Sequence, residues 1–311
     1  MVDWRRLLGF LLLAAFPALV AAQRSKPHLV TSFPPAYWLA INVAGEFAQV
    51  ENLLPASEDP HDAQLRPREY KKLQSASLLV VNGLGLESWL PRALATLPKD
   101  HQPPLVELAA GSDAELIHGS TPLKPFGGGD AGFVSSADTN TNPHVWLDPI
   151  LMVAGVSNVL AALVRIDPDH TEAYRRQAGV YSDRLRSLDQ ELRAALMPLH
   201  ERPLVTYHDA FPYFTRRYHL NLIGVIETIP DVEPAPHYLT HLLQTIRAWN
   251  GRVIITEPEL SSRLGRRLAK DMGAVTIDLE TLETGELVPD GYEAAMRRNL
   301  RVLQQALGAS K

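Results

Sequence analysis

The chain has 311 residues, 46% hydrophobic and 21% charged, a balance ordinary for a globular protein and, at this length, for two domains rather than one. Its formal net charge is −5 with no basic block, which argues against nucleic acid or an anionic membrane surface as a partner. It contains no cysteine, which excludes disulfides, thiolate metal sites, iron–sulfur clusters, a Cys nucleophile and a lipid-modified cysteine.

Residues 1–22 read as a cleaved signal peptide. Arg5 and Arg6 form a positive start, Leu7 to Leu19 an apolar run too short for a membrane span, and Val20-Ala21-Ala22 a small-residue cleavage site. Removal leaves 34 acids against 28 bases, a mature charge of −6. A strand is expected from His28 to Ser32, ended by Pro34-Pro35, then a helix from Tyr37 to Phe47 and a second strand from Val50 to Leu54. Pro55 to Arg66 is a polar loop holding Asp59-Pro60-His61, and Pro67 opens the next helix. Leu78 to Val81 reads as a buried parallel strand. It runs into Asn82-Gly83-Leu84-Gly85 and a helix from Glu87, and Leu105 to Leu108 is a fourth strand.

The segment 111–142 breaks this alternation. It reads as a flap beside a site or as a solvated insertion, and with His118 as its one imidazole the second reading is preferred for direct metal binding. Asp148 caps a helix with Pro149 in its first turn, running to Ile166. A long helix follows to about Met197. Its apolar stripe is Tyr174, Ala178, Tyr181, Leu185, Leu188, Leu192 and Ala195, one helical face. A second strand–helix alternation starts at Pro203 and runs to Leu307. The expected fold is therefore α/β, two parallel-sheet lobes joined by a long backbone helix. The lobes are expected at 27–166 and 200–311, with the helix at 167–199.

The chemistry is expected where ligands collect in such folds, beyond the carboxyl ends of strands. His208 directly follows Leu204 to Tyr207, Asp278 follows Val275 to Ile277, His61 lies in a loop after a strand, and His144 sits in the Asn142-Pro143 turn. Taken singly, each reads equally well as a turn or cap residue, and Glu280 and Glu283 are alternatives to Asp278. Taken together, three imidazoles and a carboxylate suit one zinc ion in the cleft between lobes. Manganese remains open, whereas magnesium and calcium prefer oxygen shells. Glu257, after Val253 to Thr256, reads either as a support for a metal-bound His or as a helix-start acid. Trp146 is expected to pack beside the site. The remaining histidines show no comparable context.

Several stretches resemble the zinc/manganese family of solute-binding proteins of ABC transporters (ZnuA/TroA-like). They are Asp59-Pro60-His61, Leu65-Arg66-Pro67, Leu78 to Glu87, Asn142-Pro143-His144-Val145-Trp146-Leu147-Asp148-Pro149, Tyr207-His208-Asp209-Ala210-Phe211 and Thr256-Glu257-Pro258. The resemblance covers essentially the whole mature chain. It implies a binding protein, not an enzyme, with one metal between two lobes, ligands His61, His144 and His208, and Asp278 as the fourth. Histidine at the third ligand position implies zinc over manganese. Asp278 departs from the family pattern in being followed by Leu-Glu-Thr, and the 111–142 loop lacks the His- and acid-rich character of many zinc-type members. The implied partners are the zinc ion and an inner-membrane ABC permease, with the chain a monomer, free in the periplasm and not lipid-anchored. The alternative from another class is a secreted zinc hydrolase with three His ligands and Glu257 as base, although no His-Glu-x-x-His motif is present. A third reading is a binder of a metal chelate or other small solute on the same fold.

Overall fold

The computed structural model describes residues 25–125, 141–227, 234–258 and 263–309. The proposed signal peptide, 1–22, lies outside the described residues. In the first lobe, β1 (His28–Thr31), β2 (Gln49–Asn52), β3 (Leu78–Val81) and β4 (Leu105–Glu107) form a parallel sheet of order β2-β1-β3-β4. Its helices are α1 (Pro34–Ala44), α2 (Pro67–Ser75) and α3 (Leu90–Ala95). Then come α4 (Pro149–Ile166) and α5 (Thr171–Leu196). In the second lobe, β5 (Pro203–His208), β6 (Asn221–Glu227), β7 (Val253–Thr256) and β8 (Val275–Asp278) form a parallel sheet of order β6-β5-β7-β8. Between and after them run α6 (Pro212–Arg217), α7 (Pro236–Ala248), α8 (Arg263–Met272) and α9 (Gly291–Ala309).

The two sheets repeat one winding. In each, the chain steps from its first strand to one side, then returns to pair on the other side of that strand. This leaves a topological switch between β1 and β3 and another between β5 and β7, where loops diverge and open a crevice at the strand ends. The all-buried runs Leu78–Val81 and Val253–Thr256 are inner strands covered on both faces. β8 is an edge strand, and both Val275 and Asp278 on it are exposed.

Several local expectations shift. Pro34-Pro35 does not precede the first helix but forms its first turn, where a missing N–H costs nothing. The helix expected from Glu87 starts instead at Leu90, because the Glu87 carboxylate is engaged elsewhere: it accepts from Ser32 Oγ at 2.6 Å, Asn82 N at 2.8 Å and Gly83 N at 3.2 Å. Burial pushes that carboxyl up, and these donors oppose it. Gly83 and Gly85 take φ of +80° and +82°, which the tight turn requires. The flanks of segment 111–142 are also not free solvent-facing chain. Leu123 is buried in the second-lobe core, Lys124 N donates to Ile223 O at 3.0 Å, and Trp249 Nε1 donates to Pro125 O at 3.2 Å. Residues 126–140 of that segment lie outside the described residues.

α5 has 26 residues, so it is about 39 Å long. Tyr174, Ala178, Tyr181, Leu185, Leu188 and Leu192 are buried along one face, with Ala195 partly so. That face packs on α1, α4 and α9. The same continuous core takes in Leu29 and Phe33 of the first lobe and Leu204, Phe211 and Ile255 of the second. Each such leucine side chain removed from water contributes about 1.5–3 kcal/mol, so α5 joins the lobes by apolar packing and not only by covalent connection. α4 is apolar enough by length and composition to cross a membrane, but here it packs against α1 and α5.

Candidate metal centre

Three histidines from distant parts of the chain converge. The ring centroids of His61 and His144 are 5.7 Å apart, those of His144 and His208 4.9 Å, and those of His61 and His208 6.4 Å. His61 is held by its turn. Its backbone N donates to Asp59 Oδ1 at 2.7 Å, while Trp89 Nε1 donates to Pro60 O at 2.8 Å. His144 hangs from the first-lobe switch point, where Asn82 Nδ2 donates to Pro143 O at 2.9 Å. His208 is the last residue of β5, and Glu257 follows β7 beside it, so the second-lobe switch point places both.

The carboxylate that joins them is Glu283. Its Oε1 lies 3.3 Å from His61 Nε2 and 3.2 Å from His144 Nε2, and these three residues bring one donor atom each within 4.8 Å of one another. Donors about 2.0–2.2 Å from a tetrahedral zinc lie about 3.3–3.6 Å from each other, so the observed spacings match edges of that tetrahedron. Asp278 lies apart from this group: its side chain is exposed at the end of the edge strand β8, where its Oδ1 accepts from Thr256 Oγ1 at 2.6 Å. The chain runs on from β8 back across the first lobe. Trp146 Nε1 donates to Thr281 O at 2.7 Å, Gly285 N to Ala56 O at 2.9 Å, and Trp38 Nε1 to Glu286 O at 2.8 Å. Leu282, buried, takes φ +66°, a left-handed conformation that costs such a residue roughly 1–2 kcal/mol. That kink immediately precedes Glu283. Glu283 was legible only as an alternative, since no pattern of residue types announces a left-handed leucine.

Glu257 stands differently. Its Oε1 is 3.3 Å from His208 Nδ1, the ring nitrogen on the far side from Nε2. A carboxylate there orients the ring and leaves Nε2 for an ion. Burial lowers the His208 pKa, but the hydrogen bond and charge of Glu257, with Glu283 and Asp209 behind, outweigh it and raise it to about 9. Burial lowers His144 to about 4 against the pull of Glu283, so that ring is neutral at pH 7. Burial alone would raise the Glu283 carboxyl, yet the imidazoles of His144 and His61 hold it well below the usual range. Burial lowers the His61 pKa too, but the hydrogen bond and charge of Glu283, with Asp59 behind, outweigh it in a net upward shift. Trp146 packs on His144 with ring centroids 5.1 Å apart.

The arrangement sets one donor atom each of His61, His144 and Glu283 within 4.8 Å of one another, with the His208 ring 4.9 Å from that of His144, a donor set that suits a single small cation. The comparisons with known proteins point the same way. The chain is 31% identical over 286 residues to the high-affinity zinc uptake system protein ZnuA of Bacillus subtilis, covering 91% of this chain and 88% of that one. It is 30% identical over 285 residues to the zinc-binding lipoprotein AdcA of Streptococcus pneumoniae, covering 90% of this chain and 56% of that one. Among solved structures, the solute-binding protein FpvC of Pseudomonas aeruginosa in complex with Mn2+ superposes with a TM-score of 0.76 at 26% identity, over 92% of this chain and all of that one. A crystal structure of ZnuA superposes at 0.73 with 25% identity, over 91% and 100%. The family model described as zinc-uptake complex component A, periplasmic, matches residues 29–306, and the chain belongs to that family.

Proposed function

We propose that the protein binds Zn2+ outside the cytoplasmic membrane, through His61, His144, His208 and Glu283, and delivers it to an ABC importer. It acts as a carrier, not a catalyst. The observation that carries this reading is the Glu283 carboxylate oxygen set 3.2–3.3 Å from two imidazole Nε2 atoms, the spacing that a shared tetrahedral ion imposes. A shell closed by a fourth protein donor leaves no position for a catalytic water. Three imidazoles favour zinc over harder ions, although the Mn2+ complex of FpvC makes manganese the competitor to test.

The finer assignments belong to the same reading. Residues 1–22 are removed on export, 27–166 and 200–311 form the lobes, and 167–199 holds the connecting helix. The mature protein is a monomer, free in a periplasm, since the chain offers no cysteine for acylation and an unanchored carrier is retained only behind an outer membrane. Its docking partner is an inner-membrane permease. The test is to strip the purified chain and offer it equimolar zinc and manganese against a chelator. One tightly held zinc, weakened more than about tenfold in His144→Ala with the fold intact, is expected. Preference for manganese would change the cargo, and no stoichiometric metal would overturn the reading.

A further inference from the structure

We propose that Asn142 is a positioning residue that sets the tautomer of His144 and ties the turn carrying His144 to the turn after His208. The inference rests on the proposed role of His144 as a metal ligand, and it concerns how that ligand is made ready.

Asn142 is buried, and its side-chain and backbone polar groups are all engaged. Its backbone N donates to Ile117 O at 2.8 Å, and its backbone O accepts from Tyr213 Oη at 2.8 Å. Its Nδ2 donates to Asp209 O at 2.7 Å. Its Oδ1 accepts from His144 N at 3.1 Å and faces His144 Nδ1 at 2.9 Å. The orientation of the amide follows from these partners. A carbonyl oxygen can only accept and a backbone N–H can only donate, so rotating the amide by half a turn would break both contacts. With Oδ1 fixed toward the ring, a proton on His144 Nδ1 satisfies this contact, whereas a neutral ring protonated on Nε2 would leave Nδ1 and Oδ1 as two facing acceptors.

The consequence appears at the other ring nitrogen. Nε2 then holds a lone pair, buried without a hydrogen-bond donor, facing the Glu283 carboxylate oxygen at 3.2 Å. Two acceptors held that close call for a cation between them. A neutral imidazole left to itself in water prefers the proton on Nε2, which would point N–H at the ion position. Asn142 opposes that alternative before any ion arrives, by leaving Nδ1 without a donor if the proton moves to Nε2. The tether to Asp209 adds a second effect. The Asp209 side chain accepts from Thr121 Oγ1 at 2.6 Å and Thr121 N at 2.9 Å, which fixes the peptide whose carbonyl Asn142 grips. One amide therefore holds the ligand turns of both lobes in register.

The experiment reads tautomer and affinity separately. Long-range proton–nitrogen correlations of the histidine rings, taken on the whole metal-free protein at neutral pH, report which nitrogen of His144 is protonated. The wild type is expected to show Nδ1–H with a bare Nε2. Asn142→Ala is expected to lose that preference and to weaken zinc binding about 10- to 100-fold, as removal of a ligand's supporting partner does. Asn142→Asp keeps an acceptor for Nδ1 while losing the grip on Asp209. It is expected to keep the tautomer and bind zinc more tightly than Asn142→Ala. A wild type that binds zinc yet carries its metal-free His144 proton on Nε2 overturns the proposal, with no need for either variant to fold. So does an Asn142→Ala protein whose tautomer and zinc affinity are unchanged. A wild type with Nδ1–H whose zinc affinity does not depend on His144 would instead sink the ligand reading.

Discussion

The two flanks of the metal centre use the same residue type in opposite ways. Glu257 and Glu283 are both buried and both lie 3.3 Å from an imidazole nitrogen. On the His208 flank, Glu257 meets Nδ1, behind the ring, and both residues sit where adjacent parallel strands end. On the other flank, Glu283 meets Nε2 of two rings at once, in front of them, and arrives on a segment that has left its own sheet to lie across the first lobe. On the proposed reading, the glutamate behind the ring supports a donor and the glutamate in front is one. Burial and distance alone do not separate the roles; the ring nitrogen that is faced does.

The donor role of Glu283 in that contrast is most sharply tested by removing it and the other candidate fourth donor, Asp278, in turn. Glu283→Ala is expected to weaken zinc binding by more than about 100-fold, beyond the range typical of outer supports, whereas Asp278→Ala leaves it within about twofold, both measured by chelator competition. Equal losses in the two variants would return Asp278 to the site.

The Glu257 flank gives a smaller effect with a pH signature. In the metal-free protein His208 keeps its proton up to about pH 9, and if His208 is a ligand, as proposed, zinc must displace it. Affinity should therefore rise with pH through the neutral range, with proton release on binding. Glu257→Gln lowers the His208 pKa and also loosens the ring. The expected loss is about 10-fold above the wild-type pKa and shrinks as pH falls, because the variant has less proton competition to overcome. A pH-independent loss would make Glu257 purely a packing residue. The same raised pKa stabilises the metal-free fold in the opposite sense: its contribution is complete below about pH 6.5 and is lost as pH rises through about 9. The smallest effect on binding belongs to the spine. Leu188→Ala, in the buried stripe of α5, should cost about 2–5 kcal/mol of stability in thermal unfolding while leaving zinc affinity unchanged.

How much of this was legible in the sequence follows from how each part is made. α4 runs from Pro149 to Ile166 as its cap and proline announce, with Asp148 Oδ1 accepting from Ile150 N at 2.9 Å. The α5 stripe is a periodicity, and periodicities survive folding. His208 was legible because a strand end is a place that a pattern can mark. The route from Asp278 to Glu283 was not. It depends on a leucine in a left-handed conformation and on backbone contacts to Trp38, Ala56 and Trp146, each more than a hundred residues away in the chain. The packing of Leu123 into the second lobe was hidden for the same reason, since a single leucine among prolines and polar residues has no period.

His61 and Glu283 are 222 positions apart, and His144 and His208 fall between them, so none of the four donors has another as a near neighbour along the chain. An unfolded or half-made polypeptide presents these groups one at a time, each a weak monodentate ligand. It acquires a chelating centre only when both sheets, the spine and the returning C-terminal segment are in place. A chain that crosses a membrane before folding therefore crosses it empty. On the proposed reading its cargo is then taken from the far side, and export of the chain does not drain the metal from the compartment in which it was made.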